Sequence, residues 1–335
     1  MAFSLEYNTF NGILKPDLPY IKGYEFSATE HFPPEPQINH FFSLTPDEAA
    51  KRITTDVLTR SLSRKPILGQ LGSRCLRLEI RMAIRVGDEI TSQIILVDVI
   101  SGHLSNTPVV AKLYDPLYHD HSDNYVDPFL FVDVEYARES AAYRYLQSQG
   151  QKNIPEYYGS YSTEIGHSDQ FRTVRLILIE HVIGSPMTSL RAKDFPDHVQ
   201  KTFMKQIVDI ESQLYKINLE HGDTHPRNVV IDPSEPRVTF IDFGHALIGR
   251  SSDPQDEDLE RQSLPGMYIS PLLRWFKTRR RLPISRFEEW ITWDWNEWLF
   301  DTYSSDKENM TLEMAQRWLP AGVRQQFLSI GDGPS

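Results

Sequence analysis

Residues His221 to Asn228 read His-Gly-Asp-Thr-His-Pro-Arg-Asn, and a short hydrophobic stretch later Phe240 to Gly244 read Phe-Ile-Asp-Phe-Gly. Each motif adjoins a β-branched run: Val229, Val230 and Ile231 after the first, and Val238, Thr239, Phe240 and Ile241 leading into the second. Branching at Cβ stiffens the side chain and favours strands. Upstream, Asp197 to Leu219 carries Val199, Phe203, Ile207, Ile210, Leu214 and Ile217 on one stripe. That spacing predicts a long amphipathic helix that delivers the chain into His221. Strand-like segments fill the chain before this helix, and helical, Trp-rich sequence follows Asp242. Strands first and helices afterwards is an α+β order.

The strand-like runs are Cys75 to Val86, Ser92 to Ile100 and Pro108 to Leu113, joined through Gly87-Asp88 and Ser101-Gly102. Both junctions are turn signals. Asp115 to Pro128 is a polar loop with His119, Asp120, His121 and Asp123. Nothing there fixes a ligand geometry, so it reads as a loop rather than a metal site. Phe131 to Gln149 has helical spacing (Val134, Ala137, Ala141, Tyr145) and stops before Gly150, a C-cap residue. Asn153 to Tyr161 reads as a strand entry, Arg172 to Val182 as a buried strand, and Pro271 to Leu319 as helical.

Met1 to Gln70 is different in kind. It is rich in Pro, Asn and aromatic residues and contains Pro33-Pro34-Glu35-Pro36, which neither a helix nor a central strand accepts. Thr45 followed by Pro46 predicts a helix start, with the helix running to about Leu62. The expected organisation is an extension over 1–74, a sheet-bearing lobe over 75–181 and a helical lobe over 182–335.

With 335 residues the chain can bury a sizeable core in one large or two moderate domains. Its formal net charge of -11 argues against a nucleic acid or an anionic membrane held by bulk electrostatics. The dense basic run of Lys277, Arg279, Arg280 and Arg281 reads as a solvated helix end. Cys75 is the only cysteine, so no intramolecular disulfide forms and nothing points to secretion. The first twenty residues lack the basic start and apolar run of a signal peptide, and no apolar stretch approaches the ~18 residues of a membrane span. A cytoplasmic protein is expected.

The three oxygen-bearing side chains of the two motifs suit one chemistry. Phosphoryl transfer asks for a carboxylate that orients and deprotonates a hydroxyl, and for separate oxygen ligands for the magnesium ions on ATP. Asp223 fits the first role, and Asn228 and Asp242 fit the second. The spacing His-x-Asp, four residues, Asn, then Asp-Phe-Gly is that of the protein kinases. The chain resembles the protein kinase-like superfamily, and its His-Gly-Asp form resembles the aminoglycoside/choline phosphotransferase branch. It is also similar to kinase-like proteins of filamentous fungi that carry a Trp-Asp-Trp segment near the C-terminus, here Trp293-Asp294-Trp295. The resemblance covers roughly Cys75 to Leu319. It implies a bilobal protein kinase-like fold: a small antiparallel-sheet lobe with one helix, a connecting strand, and a helical lobe bearing the catalytic loop.

The resemblance also assigns roles. Lys112, in Val109-Val110-Ala111-Lys112, matches the strand lysine that pairs the α- and β-phosphates. Glu139 matches the ion-pair glutamate, and Glu135, one turn away on the same face, is left as a solvated neighbour. Val110 falls where kinases place alanine over the adenine ring. In Leu178 to Val182, the Glu180 carbonyl and the Val182 amide are expected to hold the adenine edge, with Ile179 behind it. Asp223 would accept the substrate proton, while Asn228 and Asp242 would hold Mg²⁺ through hard oxygen ligands. His221 is expected to brace the loop, and His225 and Arg227 lie within reach of phosphate or substrate.

One family part is missing. The turn between the first two strands holds only Gly87, followed by Asp88 and Glu89, where a glycine-rich phosphate cradle is expected. Two acids there would repel phosphates unless they point away. The expected function is an ATP- and Mg²⁺-dependent transfer of the γ-phosphate to a hydroxyl of a small molecule. After Gly244 there is no Ala-Pro-Glu and no long phosphorylatable segment of the kind on which protein kinases dock peptides. The alternatives are a protein Ser/Thr kinase, since the stretch before Asp223 leaves room for one long helix, and a non-catalytic pseudokinase scaffold, motivated by the poor phosphate loop.

Overall fold

The structure is a computed structural model that describes residues 7–10, 13–36, 43–104, 107–167, 170–249, 268–277 and 282–328. The chain is α+β and divides into two compact units, one of Met1–Gly150 with Pro155–His181, the other of Gln151–Ile154 with Val182–Ser335. Among the described residues no helix is long and apolar enough to cross a membrane.

In the first unit, β1 (Tyr7–Phe10) and β2 (Ile13–Pro16) form a hairpin. The main structure is an antiparallel closed barrel of β3 (Glu25–Phe32), β4 (Gln70–Arg85), β5 (Gln93–Ser101), β6 (Pro108–Tyr114), β7 (Tyr157–His167) and β8 (Gln170–Glu180), in the order β3-β4-β5-β6-β8-β7. Side chains alternate across each strand. Leu76, Leu78 and Ile80 of β4, Ile95, Val97 and Val99 of β5, Val109, Ala111 and Leu113 of β6, and Val174, Leu176 and Leu178 of β8 form one buried cluster. Burying one such side chain contributes about 1.5–3 kcal/mol, which makes the barrel interior the stabilising core of this unit. The alternate residues of β6, namely Val110, Lys112 and Tyr114, lie on the other face.

Helix α3 (Pro128–Ser148) packs against β6, β7 and β8. Asp127 starts it by accepting the Phe129 and Leu130 amides, with Pro128 in the first turn. The polar loop before it is ordered by its own contacts: Asp120 accepts from the Ser122 amide, the His121 Nε2–H donates to the Pro116 carbonyl, and His119 stacks on Phe131. Among the described residues no group of three or more His, Cys, Asp or Glu side chains is arranged to hold a metal ion.

The N-terminal segment differs from expectation in two respects. The sequence predicts an extension over 1–74, yet Glu25–Phe32 pairs with β4 on one side and β7 on the other and closes the barrel. Its alternation is obscured because Phe26 and Ala28 point inward while Glu30 and His31 are also buried, each with a polar partner, Arg74 and Tyr136. The single helix expected to run to about Leu62 is two, α1 (Pro46–Thr54) and α2 (Val57–Ser63). Thr45 caps the first as expected, but Thr55 is extended and Asp56 caps the second by accepting the Thr59 amide. The β-branched Ile53, Thr54 and Thr55 weaken the helix just where a new capping residue follows.

In the second unit, α4 (Asp197–Lys216) buries Phe203, Met204, Ile207, Ile210 and Leu214. It stops short of the expected Leu219 because Asn218 adopts a left-handed φ of 60°. Leu219–Glu220 is instead a short strand, β10, paired with β13 (Leu247–Ile248). A further sheet has the order β12-β11-β9, from β9 (Ser185–Pro186), β11 (Val229–Asp232) and β12 (Arg237–Phe240). The C-terminal helices are short: α5 (Pro271–Arg274), α6 (Leu282–Ser285), α7 (Trp295–Thr302), α8 (Leu312–Trp318) and α9 (Ala321–Leu328). In the Trp-Asp-Trp segment, Asp294 caps α7 by accepting the Glu297 amide, and the buried Trp295 donates Nε1–H to the Trp275 carbonyl at 2.8 Å. That segment is part of the packing of this unit. Arg279, Arg280 and Arg281 lie outside the described residues, as does 250–267, most of the stretch after Gly244 that bears on the acceptor.

Candidate active site

The second unit brings Asp223, Asn228 and Asp242 to one end of the β11–β12 hairpin. Val229 pairs with Phe240, and the register continues when the Ile241 amide donates to the Asn228 carbonyl at 2.9 Å. The two motif residues on either side of that contact are therefore neighbours. Asp242 turns out of the strand with a φ of 64°, a conformation that L residues adopt rarely and that marks a position held by its surroundings. Gly222 has a φ of 73°, and a Cβ there would lie 2.2 Å from the His245 carbonyl oxygen. Only glycine fits between His221 and Asp223.

His221 is the brace. It is buried, its Nε2–H donates to the Ile241 carbonyl at 3.0 Å, and its Nδ1 accepts the Asp223 amide at 3.3 Å. The accepting Nδ1 sets the tautomer, and burial holds the imidazole below its usual pKa, so it stays neutral. One ring thereby ties the loop of Asp223 to the strand that precedes Asp242.

The Asp223 carboxylate is heavily partnered. Oδ2 accepts from Arg227 Nη2 and from Asn228 Nδ2, both at 2.7 Å, and Oδ1 accepts from Arg286 Nη1 at 3.2 Å. Burial pushes this carboxyl up, but the Arg227, Asn228 and Arg286 contacts outweigh it and hold the pKa below the ordinary value. Asp223 is thus ionised at neutral pH, as a group must be that orients a hydroxyl and receives its proton. Asn228 uses Nδ2 on both the Asp223 carbonyl and Oδ2, so its Oδ1 is the atom available for a cation. A carboxylate and a neutral amide oxygen are the hard ligands that suit Mg²⁺, which takes one or two protein oxygens beside phosphate and water. Arg286 lies in the turn just after α6 and carries no local sequence signal.

The first unit holds the other expected residues. Lys112 Nζ lies 2.5 Å from Glu139 Oε2, in a pair whose side chains are 7% and 0% exposed. The Tyr114 hydroxyl donates to the same carboxylate oxygen. Glu135 is also buried and lies 4.0 Å from Arg138, so it is not a solvated neighbour. Val110 pairs with Ile179 across β6 and β8, and both are nearly buried. The Glu180 amide donates to the Glu156 carbonyl at 2.8 Å, and Glu180 pairs with Val109 of β6. Val182, the first residue of the second segment of its unit, lies in neither helix nor strand.

The Gly87 turn is built from the inside. The Gly87 amide donates to Gln93 Oε1 at 2.9 Å and Gln93 Nε2 donates back to the Gly87 carbonyl at 2.8 Å. The Glu89 amide donates to Asp88 Oδ1 at 2.9 Å, and Lys15 Nζ donates to that same oxygen. The amides of Gly87 and Glu89 are thus engaged within the turn. Asp88 is neutralised by a lysine from outside the sheet-bearing segment.

No protein-family model matches the chain, and no curated protein matches it.

Proposed function

We propose that this protein is an ATP- and Mg²⁺-dependent phosphotransferase of kinase-like bilobal fold, acting in the cytoplasm on a hydroxyl of a small molecule. The observation that carries the reading is the hairpin end that gathers an ionised Asp223, the Oδ1 of Asn228 and the Asp242 carboxylate, with His221 tying the two loops together. The buried Lys112–Glu139 pair on β6 and α3 supports it from the first unit, as the phosphate lysine and its partner. The strand order β4-β5-β6-β8-β7, with α3 between β6 and β7, supports the fold.

In this reading the acceptor oxygen bonds to the γ-phosphorus while the bond to the β,γ-bridging oxygen breaks. That oxygen leaves with the electron pair as part of ADP, and the hydroxyl proton passes to Asp223. Asp223 contributes chiefly by position, because a loose transition state rewards alignment more than basicity. Bound Mg²⁺ would neutralise the charge of the phosphates, with Asn228 and Asp242 as its protein ligands.

A second reading, a non-catalytic scaffold, is favoured by the Gly87 turn, whose Gly87 and Glu89 amides are engaged internally. One experiment separates the two. Purified protein with γ-labelled ATP, Mg²⁺ and a panel of hydroxylated acceptors should transfer label, and Asp223→Asn should remove transfer while leaving ATP binding. No Mg²⁺-dependent ATP binding in the wild type would end the phosphotransferase reading in favour of the scaffold.

A further inference from the structure

Asp223 sits between two guanidinium groups. Arg227 Nη2 meets Oδ2 at 2.7 Å and Arg286 Nη1 meets Oδ1 at 3.2 Å, so one carboxylate is flanked on both oxygens by a full positive charge. His225 accepts the Arg227 amide on Nδ1 at 3.1 Å, and burial together with the nearby Arg227 lowers its pKa, so it stays neutral beside them. Arg227 and Arg286 carry one positive charge more than Asp223 offsets, although Asp242 at the same hairpin end is acidic and the chain carries -11 overall. At physiological salt the Debye length is about 8 Å, so at this loop the adjacent guanidinium groups outweigh charge spread over the rest of the surface.

The two arginines are placed to meet a ligand as well as to hold Asp223. Their side chains are 56% and 35% exposed. Among the described residues, Arg286 engages Nη1 alone, with the Asp223 carboxylate and the Thr224 carbonyl at 3.3 Å. The remaining N–H groups of its planar fork suit a carboxylate or phosphate, which guanidinium binds through parallel hydrogen bonds. Arg286 is also held in place. Ile284, Phe287 and Trp290 on either side of it are buried, Phe287 packs 6.2 Å from Trp275, and Trp290 packs 5.8 Å from Phe195. A cation anchored in this way loses little freedom when it binds.

We propose that the acceptor hydroxyl belongs to a small molecule that also carries an oxyanion, a carboxylate or a phosphate, and that Arg227 and Arg286 select it. This rests on the phosphotransferase reading for the role of Asp223. It departs from the cationic amino alcohols and aminoglycosides that the sequence resemblance suggests, because an ammonium group beside Asp223 would face two like charges. The oxyanion docks on the guanidinium groups and the hydroxyl next to it is presented to the Asp223 carboxylate, which receives the proton as the oxygen bonds to the γ-phosphorus.

The test uses the full chain with ATP and Mg²⁺ and acceptors matched in shape but not in charge. One set is glycerol, D-glycerate, glycerol 3-phosphate and 3-amino-1,2-propanediol; the other is glucose, gluconate, glucose 6-phosphate and glucosamine. The anionic members should exceed their neutral counterparts in kcat/KM by about tenfold or more, the scale of one charge-assisted contact. The comparison of glycerate with glycerol 3-phosphate, and of gluconate with glucose 6-phosphate, decides between carboxylate and phosphate. Arg286→Gln should collapse the anionic-to-neutral ratio, and Arg227→Gln, at the more exposed position, repeats the test if the first variant does not fold. Preference for neutral or cationic members overturns the inference, as does an unchanged ratio, or a rise in KM for ATP that is equal across the panel. If no acceptor is phosphorylated and ATP is not turned over, it is the phosphotransferase reading that fails. The guanidinium Nε–H resonance of Arg286, followed by NMR with gluconate or inorganic phosphate, then still decides. A saturable shift supports the oxyanion site and no shift overturns it.

Discussion

Lys15 Nζ lies 2.5 Å from Asp88 Oδ1 and also donates to the His119 carbonyl at 2.9 Å, with side chains only 5% and 18% exposed in the ion pair. A residue near the start of the chain thus neutralises the acid of the turn where a phosphate cradle is expected. Lys15→Met would leave the Asp88 carboxylate enclosed without its cation and should destabilise the first unit by about 3 kcal/mol, the scale of a buried pair losing one member. Asp88→Asn should also destabilise, through a stranded Lys15, and should not tighten ATP binding, because no net repulsion is relieved. Urea unfolding and ATP titration check both. A loss under about 0.5 kcal/mol would mean that the pair is solvated.

The Lys112–Glu139 pair allows structure and function to be separated. Lys112→Met should cost about 3–5 kcal/mol, because the fully buried Glu139 then loses the cation 2.5 Å from its carboxylate. The double change Lys112→Met with Glu139→Leu should recover much of that stability, since two apolar side chains replace two desolvated charges. Nucleotide affinity should stay low in both. Thermal unfolding together with ATP titration reads this out, and a double variant that regained ATP binding would remove Lys112 from the site.

Removing the cations around Asp223 should raise its pKa. With Arg227→Gln and Arg286→Gln combined, burial acts with only the Asn228 contact against it, and the carboxyl should move above its wild-type position. The sign for stability follows from the depressed wild-type value. The contribution is present above the unfolded pKa, ordinarily 3.8, and is lost as pH falls through the lower folded value. A ¹³C titration of the Asp223 carboxyl in both proteins measures the change. Coincident curves would show that the guanidinium groups do not act on it.

Buried histidines should make the first unit acid-sensitive. Burial lowers His31 and His119 to about 4 and His121 to about 3, from an ordinary 6.5. The unfolded chain therefore takes up protons below pH 6.5 that the folded chain refuses, and stability falls from there until about pH 4 to 3. Asp133, raised by burial to about 6, works in the opposite direction over part of this range. The informative comparison is thus wild type against His121→Gln, in which the fall of the thermal midpoint with acid should be shallower. Equal slopes would show that His121 titrates normally in the folded chain.

The three oxygen-bearing residues of the second unit were legible in the sequence because they sit on two loops joined by one short hairpin. Their proximity follows from a local spacing. Arg286 was not legible, since it meets Asp223 from 63 residues away in a one-turn stretch that resembles many others. The neutralisation of Asp88 was hidden for the same reason: Lys15 is 73 residues distant. Glu25–Phe32 is not legible as a strand because buried polar partners break its apolar alternation, and a strand-closing role depends on both neighbours rather than on its own pattern. The halt of α1 at Thr54 could have been read from Asp56, a second capping residue inside the expected helix.

The closing strand also constrains when the barrel can form. Ser27 and Thr163, linked by a hydrogen bond between the Thr163 hydroxyl and the Ser27 carbonyl, are 136 residues apart. At about 5–20 residues per second, a ribosome needs on the order of ten seconds to make that stretch. Throughout that interval the N-terminal strand has emerged without its second neighbour, and its edge groups are open to other chains. Protection of nascent chains during this window, more than the stability of the finished barrel, should govern how much of the protein reaches its native state in a cell.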